Sequence, residues 1–137
     1  MTTRTPRLDH PDGELRWVGD PRWSSVTTPT TRAVIGDHHH LLVVAAHPDD
    51  ECLGAGAFIA DAAALGVDVT LLILTSGEAS HPRSSTVSRE DLGARRRAEG
   101  ERAAAELAPA AHVVHVGLPD GGLAERQEEI SAAVASF

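Results

Sequence analysis

LLVVAAHPDDECLGAG, residues 41–56, joins an unbroken apolar run to a histidine, a proline and three consecutive acids, and then to a small-residue stretch. Apolar residues without alternation are the pattern of a strand covered on both faces, as in a parallel sheet. Residues 52–65 continue Ala-rich, with Leu53, Phe58, Ile59, Ala62 and Ala63 on or near one side, and stop at Gly66, which predicts a helix. A strand that hands over to a helix across HPDDE is the first half of a β-α-β unit, and the rest of the chain repeats it.

Residues 67–75, VDVTLLILT, predict a second strand ending in Ser76-Gly77-Glu78, followed by an aperiodic polar loop over 79–88. Ser88 then caps a helix over 89–107, where Leu92, Ala103 and Leu107 supply the apolar side and Pro109 lies just past the end. HVVHVGL, residues 112–118, predicts a third strand, and residues 123–137 a last helix with Ile130, Ala133 and Val134 as its apolar set. The alternation implies an α/β fold, a doubly wound, Rossmann-like parallel sheet with helices on both faces. Ligands in such sheets bind at the carboxyl ends of the strands. HPDDE, TSGE and LPDGG all fall there, so three segments converge on one rim.

Residues 1–32 read as an N-terminal extension of unassigned role, and residues 33–137 as the domain. The extension is rich in Thr, Pro, Arg and Asp yet holds both tryptophans, Trp17 and Trp23, a reason for part of it to pack on the domain or on a partner. A net charge of -8 over 137 residues argues against a nucleic-acid binder, since only Arg95, Arg96 and Arg97 form a basic run. No stretch has the length of a membrane span, and the N-terminus lacks the apolar centre of a signal peptide. With Cys52 as the single cysteine no intrachain disulfide forms, and a cytoplasmic location is the expectation.

The acids of HPDDE have two readings. Carboxylates at a helix N-terminus offset unpaired N–H groups and the positive end of the dipole. Alternatively, His47 and Asp50, three residues apart across the strand-to-helix turn, offer an imidazole nitrogen and a carboxylate oxygen to one cation, a typical pairing for catalytic zinc. Asp49 would then stand near a metal-bound water as general base, with Glu51 as a supporting or capping group.

These residues carry a resemblance. AHPDDE after a hydrophobic strand, Thr-x-Gly-Glu after the next, Arg-x-x-Glu in a helix and Leu-Pro-Asp-Gly after the third strand resemble the LmbE/PIG-L family of zinc-dependent N-acetylglucosaminyl deacetylases over roughly residues 41–137. The resemblance implies zinc ligation by His47 and Asp50, with Asp49 as the base. It puts Arg96, with Glu99, and Asp120 in or near a sugar pocket that Glu78 also lines. The implied reaction is hydrolysis of the N-acetyl amide of an N-acetylglucosamine-type conjugate, releasing acetate and a free amine. Nucleic acid and membrane are not expected partners.

The family completes its zinc site with a downstream histidine, which these 137 residues lack, so the chain reads as an N-terminal portion that stops after the third β-α unit. Among its own histidines, His38, His39 and His40 sit at the amino end of the first strand, on the wrong rim. His112 and His115 point to opposite faces of the third strand. His81, in the loop after the second strand, is the only substitute on the correct side; His10 and Cys52 are weaker, Cys52 reading as a small core residue. The family's fourth strand lies beside the first, so its absence would leave the LLVVAA edge open to self-association. Two functions follow as expectations, a zinc-dependent de-N-acetylase or a non-catalytic binding module without the third ligand. A dinucleotide-binding domain fits the sheet but not the loop, which has no Gly-x-Gly-x-x-Gly and carries acids that would repel a pyrophosphate. The Arg95 to Arg97 run also admits a plainer reading, a solvated helix face paired with Glu99 and Glu101.

Overall fold

The computed structural model describes residues 29–82 and 86–137. Trp17, Trp23 and the rest of the expected extension up to residue 28 lie outside the described residues. The compact unit runs from Thr31 to Phe137. It contains α1 (Thr31–Ile35), β1 (His40–Ala45), α2 (Asp50–Ala64), β2 (Asp68–Thr75), α3 (Arg89–Leu107), β3 (His112–Leu118), a 3-10 turn (Leu123–Glu125) and α4 (Gln127–Ala135).

The three strands are parallel in the order β1-β2-β3, with Leu41 opposite Val69, Ala45 opposite Ile73 and Leu71 opposite Val113. Two crossovers that step the same way with the same hand deliver their helices to one face. There Ala45, Val69, Leu71 and Ile73 pack with Ile59 and Ala62 of α2 and Ala104 of α3, and Leu41, Val43 and Val113 join at the margin. Leu72 and Leu74, which alternate to the opposite face of β2, are buried too, as the continuous apolar run of this central strand requires. Among the described residues no strand pairs with the outer edge of β1, where Val44 is exposed.

Near the carboxyl end the β2-β3 register shifts: Ile73 faces His115, but Thr75 faces Leu118. The extra residue falls on β3, where Gly117 takes φ +79. A bulge of this kind bends the strand, here just before the LPDGG segment.

Four details depart from the sequence expectation. The short helix α1 was not foreseen; five residues carry no readable period, and it is held by Ile35 in the core and by the Thr31 hydroxyl donating to Asp61 Oδ2 at 2.9 Å. Helix α2 starts two residues earlier, at Asp50, so its inner face is Glu51, Gly56, Ile59 and Ala62. Leu53 lies off that face and is 84% exposed. The expected last helix is broken at Arg126, whose N–H bonds Leu123 O in a tighter turn and whose side chain provides no cap to α4.

These burials predict a contrast measurable by urea unfolding. Ile59→Ala, at a fully buried site, should cost about 2–5 kcal/mol. Leu53→Ala, at the exposed start of α2, should stay within about 0.5 kcal/mol of the parent.

Candidate functional site

At the end of β1 the chain is anchored before it turns. Ala46 O accepts both the Thr75 N–H at 3.0 Å and the Thr75 hydroxyl at 2.9 Å, and Thr75 is buried. After Ala46 come the three acids, and neither aspartate caps α2 through its side chain. Asp49 holds the N-cap position without a side-chain cap bond. Asp50 instead turns back to His47, its Oδ2 accepting the His47 backbone N–H at 3.0 Å and lying 3.3 Å from His47 Nδ1. Glu51, only 3% exposed, takes the Asp49 N–H on Oε2 at 3.1 Å and the Cys52 thiol on Oε1 at 3.4 Å. Burial, reinforced by the Glu51 and Asp49 charges, pushes the Cys52 thiol up to about 11. That thiol is a weak ligand and nucleophile.

From the bulged end of β3, Asp120 reaches the same turn. Its Oδ1 lies 3.0 Å from His47 Nε2, its Oδ2 accepts the Ala79 N–H at 2.8 Å, and its own N–H donates to Glu78 Oε1 at 2.9 Å. Burial alone would raise the Asp120 carboxyl, but the Ala79 N–H, the His47 ring and the Gly121 N–H outweigh it and lower the pKa. Asp120 thus holds His47, and Glu78 holds Asp120.

This arrangement fixes the imidazole. A neutral ring that donates Nε2–H to Asp120 presents the Nδ1 lone pair to Asp50 Oδ2, so two acceptors face each other and call for a proton or a cation between them. Two donors at zinc-ligand distances on a tetrahedral centre stand about 3.3 Å apart, which is the observed His47 to Asp50 separation. A carboxylate on the far nitrogen of the imidazole is the usual support of a metal-binding histidine. The donor set therefore fits a divalent metal in chemistry and spacing. It would supply two ligands, and among the described residues no group of three His, Cys, Asp or Glu side chains is disposed to hold a metal.

Arg96 enters from α3. Its Nη2 donates to Pro48 O at 2.9 Å and to Asp49 Oδ2 at 3.1 Å, and its Nη1 donates to Gly77 O at 3.4 Å. The guanidinium lies against Gly77 so closely that a Cβ there would stand 2.7 Å from Cζ. Beside it Arg97 donates to the Ser76 hydroxyl at 2.6 Å. Arg96 and Arg97 therefore face the rim, and Arg95 is the member left on the solvated side.

Of the residues singled out in the sequence, His47, Asp49, Asp50, Glu78, Arg96 and Asp120 form one connected set. His81 does not join it; it is exposed, with its Nδ1 3.1 Å from the Ser80 hydroxyl. His40 pairs with Asp68 at the opposite end of the sheet. His115 Nε2 lies 3.3 Å from Glu101 Oε1 without hydrogen-bond geometry. The sequence reading placed Thr75 and Gly77 on the rim without a role for either, and missed Gly93. Their signal was small residues at a strand end and on the inward side of α3, where Gly93 leaves room for Ser76 and Glu78.

Comparison with known proteins adds four findings. The family profile PIG-L, GlcNAc-PI de-N-acetylase, matches residues 42–137. A 1D-myo-inositol 2-acetamido-2-deoxy-alpha-D-glucopyranoside deacetylase from a Nocardioides species is 45% identical over 78 residues, covering 53% of this chain and 26% of that protein. Among solved structures, the N,N'-diacetylchitobiose deacetylase of Pyrococcus horikoshii, complexed with an inhibitor, superposes with a TM-score of 0.59 at 26% identity, over 66% of this chain and 33% of that one. The 4-carboxy-2-hydroxymuconate hydratase GalB of Pseudomonas putida gives 0.54 at 30% identity, over 60% and 35%. The chain thus spans roughly a quarter to a third of the length of these relatives.

The seat of Arg96 predicts unequal costs for two glycines with similar backbones. Gly36→Ala, at φ +58 in open space, should cost about 1 kcal/mol. Gly77→Ala, at φ +64 and against the guanidinium, should cost about 2–3 kcal/mol. Equal shifts in the urea midpoints would show that the contact does not constrain the rim.

Proposed function

The chain belongs to the PIG-L (LmbE) family of de-N-acetylases, and on that footing we propose that it carries the metal-binding rim of an amide hydrolase. In this reading the protein removes the acetyl group from an N-acetylglucosamine-type conjugate and releases acetate and a free amine. The observation that carries it is His47, pinned by Asp120 on Nε2 and turned toward Asp50 across 3.3 Å on Nδ1.

His47 and Asp50 would hold a divalent metal, with zinc the best match to one nitrogen and one carboxylate ligand. When bound, that ion supplies Lewis-acid polarisation of the amide carbonyl and an acidified water. The chain's own residues do the rest. Asp49 is 56% exposed and gives only Oδ2 to Arg96, so Oδ1 is free to take a proton from an attacking water and pass it to the leaving amine. Arg96 fixes the direction of that carboxylate and, at the mouth of the rim, meets the sugar hydroxyls together with Glu78 and Asp120. Glu78 bonds the Asp120 N–H and Asp120 bonds His47, so sugar contacts made there would be felt at the metal ligand. A cytoplasmic location belongs to the same reading and rests on the single cysteine.

A second reading is favoured by the donor count. With two donors and no third among the described residues, the same rim would serve a module that binds an acetylated amino sugar without cleaving it.

Metal titration by calorimetry together with acetate release from an N-acetylglucosamine conjugate separates the two. Hydrolysis predicts stoichiometric zinc uptake that is lost in His47→Ala, and about 10²–10⁴-fold slower turnover in Asp49→Asn with zinc uptake kept. Sugar binding without acetate release or zinc uptake in the parent protein would establish the binding module instead.

A further inference from the structure

Glu51 is the most deeply buried charged residue described in the rim, and the chemistry proposed above does not use it. Its carboxylate hydrogen-bonds neither His47 nor Asp50. It accepts the Asp49 N–H on Oε2 and the Cys52 thiol on Oε1. Helix α3 closes over it at Gly100, where a Cβ would stand 3.4 Å from Pro48 Cβ and 3.9 Å from Glu51 Oε1.

An apolar side chain would fill that space with no desolvation cost, so stability alone does not account for a carboxylate. Asp49 does. It is the only non-glycine described with a positive φ, +116 with ψ -26, a backbone state that a side chain makes costly. A backbone N–H donating to a buried carboxyl oxygen, as Asp49 does to Glu51 Oε2, offsets part of such strain. The same residue is held from its other end by Arg96, on Asp49 Oδ2 and on the preceding carbonyl, Pro48 O.

We propose that Glu51 is a positioning residue that pins the backbone of Asp49 in its left-handed state, so that Arg96 can fix the carboxylate with one oxygen left open. The proposal rests on the reading of Asp49 as the base. Backbone and side chain of the base are then fixed by two different elements, the first turn of α2 and the middle of α3. Neither hold contacts the metal ligands.

The test combines amide hydrogen exchange by NMR with acetate release from N-acetylglucosamine. In Glu51→Ala the Asp49 amide should exchange at least about tenfold faster, while the Ala79 amide on Asp120 and the Gly77 amide on Thr75 keep their parent rates. In Glu51→Gln, which retains an acceptor oxygen, the Asp49 amide should stay within about threefold of the parent. In the activity arm Glu51→Ala should lower kcat about tenfold at unchanged KM, with Glu51→Gln largely rescued. An unchanged Asp49 amide in Glu51→Ala overturns the proposal, as does a rise in KM at constant kcat. If Glu51→Ala does not fold, adding Asp49→Gly should restore folding, because glycine takes this backbone state without strain; failure to restore it also overturns the hold. If the parent releases no acetate while the exchange pattern appears, the hydrolytic reading falls and the hold stands.

Discussion

The guanidinium of Arg96 is the contact on which the rim depends. It donates to Pro48 O, Asp49 Oδ2 and Gly77 O at once, and so joins the turn after β1, the turn after β2 and the middle of α3. A planar fork with several donors is suited to this, where a lysine would offer a single point of charge. The bonds from Arg96 to Pro48 O and Gly77 O are partly buried, whereas the Asp49 carboxylate it meets is exposed, so solvent screens the charge pair more than the two carbonyl bonds. Its geometry has a requirement on each side. Gly77 must lack a Cβ, and α3 must come close, which Gly93 and Gly100 permit by leaving room for Ser76, Glu78 and Pro48. The inward side of α3 is therefore built for approach near its start and for the core only near its end, at Ala104 and Leu107.

That division explains what the sequence made legible. The strands were readable because β2, covered on both faces, runs apolar without a break, and α3 and β3 begin and end where Ser88, Pro109 and the β-branched run place them. The rim was readable as a set because the carboxyl ends of parallel strands must lie together. Partners within the rim were not. Nothing in the spacing of LPDGG says that Asp120 turns to His47, since that depends on the β3 bulge at Gly117, a shift of one residue. Leu53 was misplaced for a similar reason: with Asp50 as the first helical residue, the inner face passes through Glu51 and Gly56. The choice between capping and chemistry for HPDDE was likewise open in the sequence. In the structure Asp49 makes no side-chain cap bond and Asp50 turns back to its own histidine, while Glu51 takes the N–H of the N-cap residue.

The relatives sharpen which part of the site is general. Two of the similar proteins are deacetylases of acetylated sugars, and a third, the GalB hydratase, shares the fold at 30% identity. A scaffold found in both a deacetylase and a hydratase sets no reaction by itself. In this chain the scaffold carries a particular wiring: Glu78 to Asp120, Asp120 to His47, and Arg96 to Asp49. The first two steps run through a backbone N–H and a ring nitrogen, and Asp120 uses both of its oxygens, Oδ1 at His47 and Oδ2 on the Ala79 N–H.

The order of these contacts also bears on how the site assembles. His47 and Asp50 come from one turn and need no other part of the chain to be near each other, since Asp50 Oδ2 already accepts the His47 N–H three residues back. Their direction, by contrast, is set from afar. Asp120 is 73 residues from His47 and reaches it only after β3 has paired with β2 and the bulge has formed. Without Asp120 the neutral ring is free to exchange tautomers and to turn Nε2 toward Asp50; with it, Nδ1 faces Asp50. Local sequence thus brings the two donors together, and the finished sheet decides which atom of the imidazole they share. A metal that binds there would favour the state in which β3 is fully docked, coupling ligand uptake to the order of the strand farthest from β1.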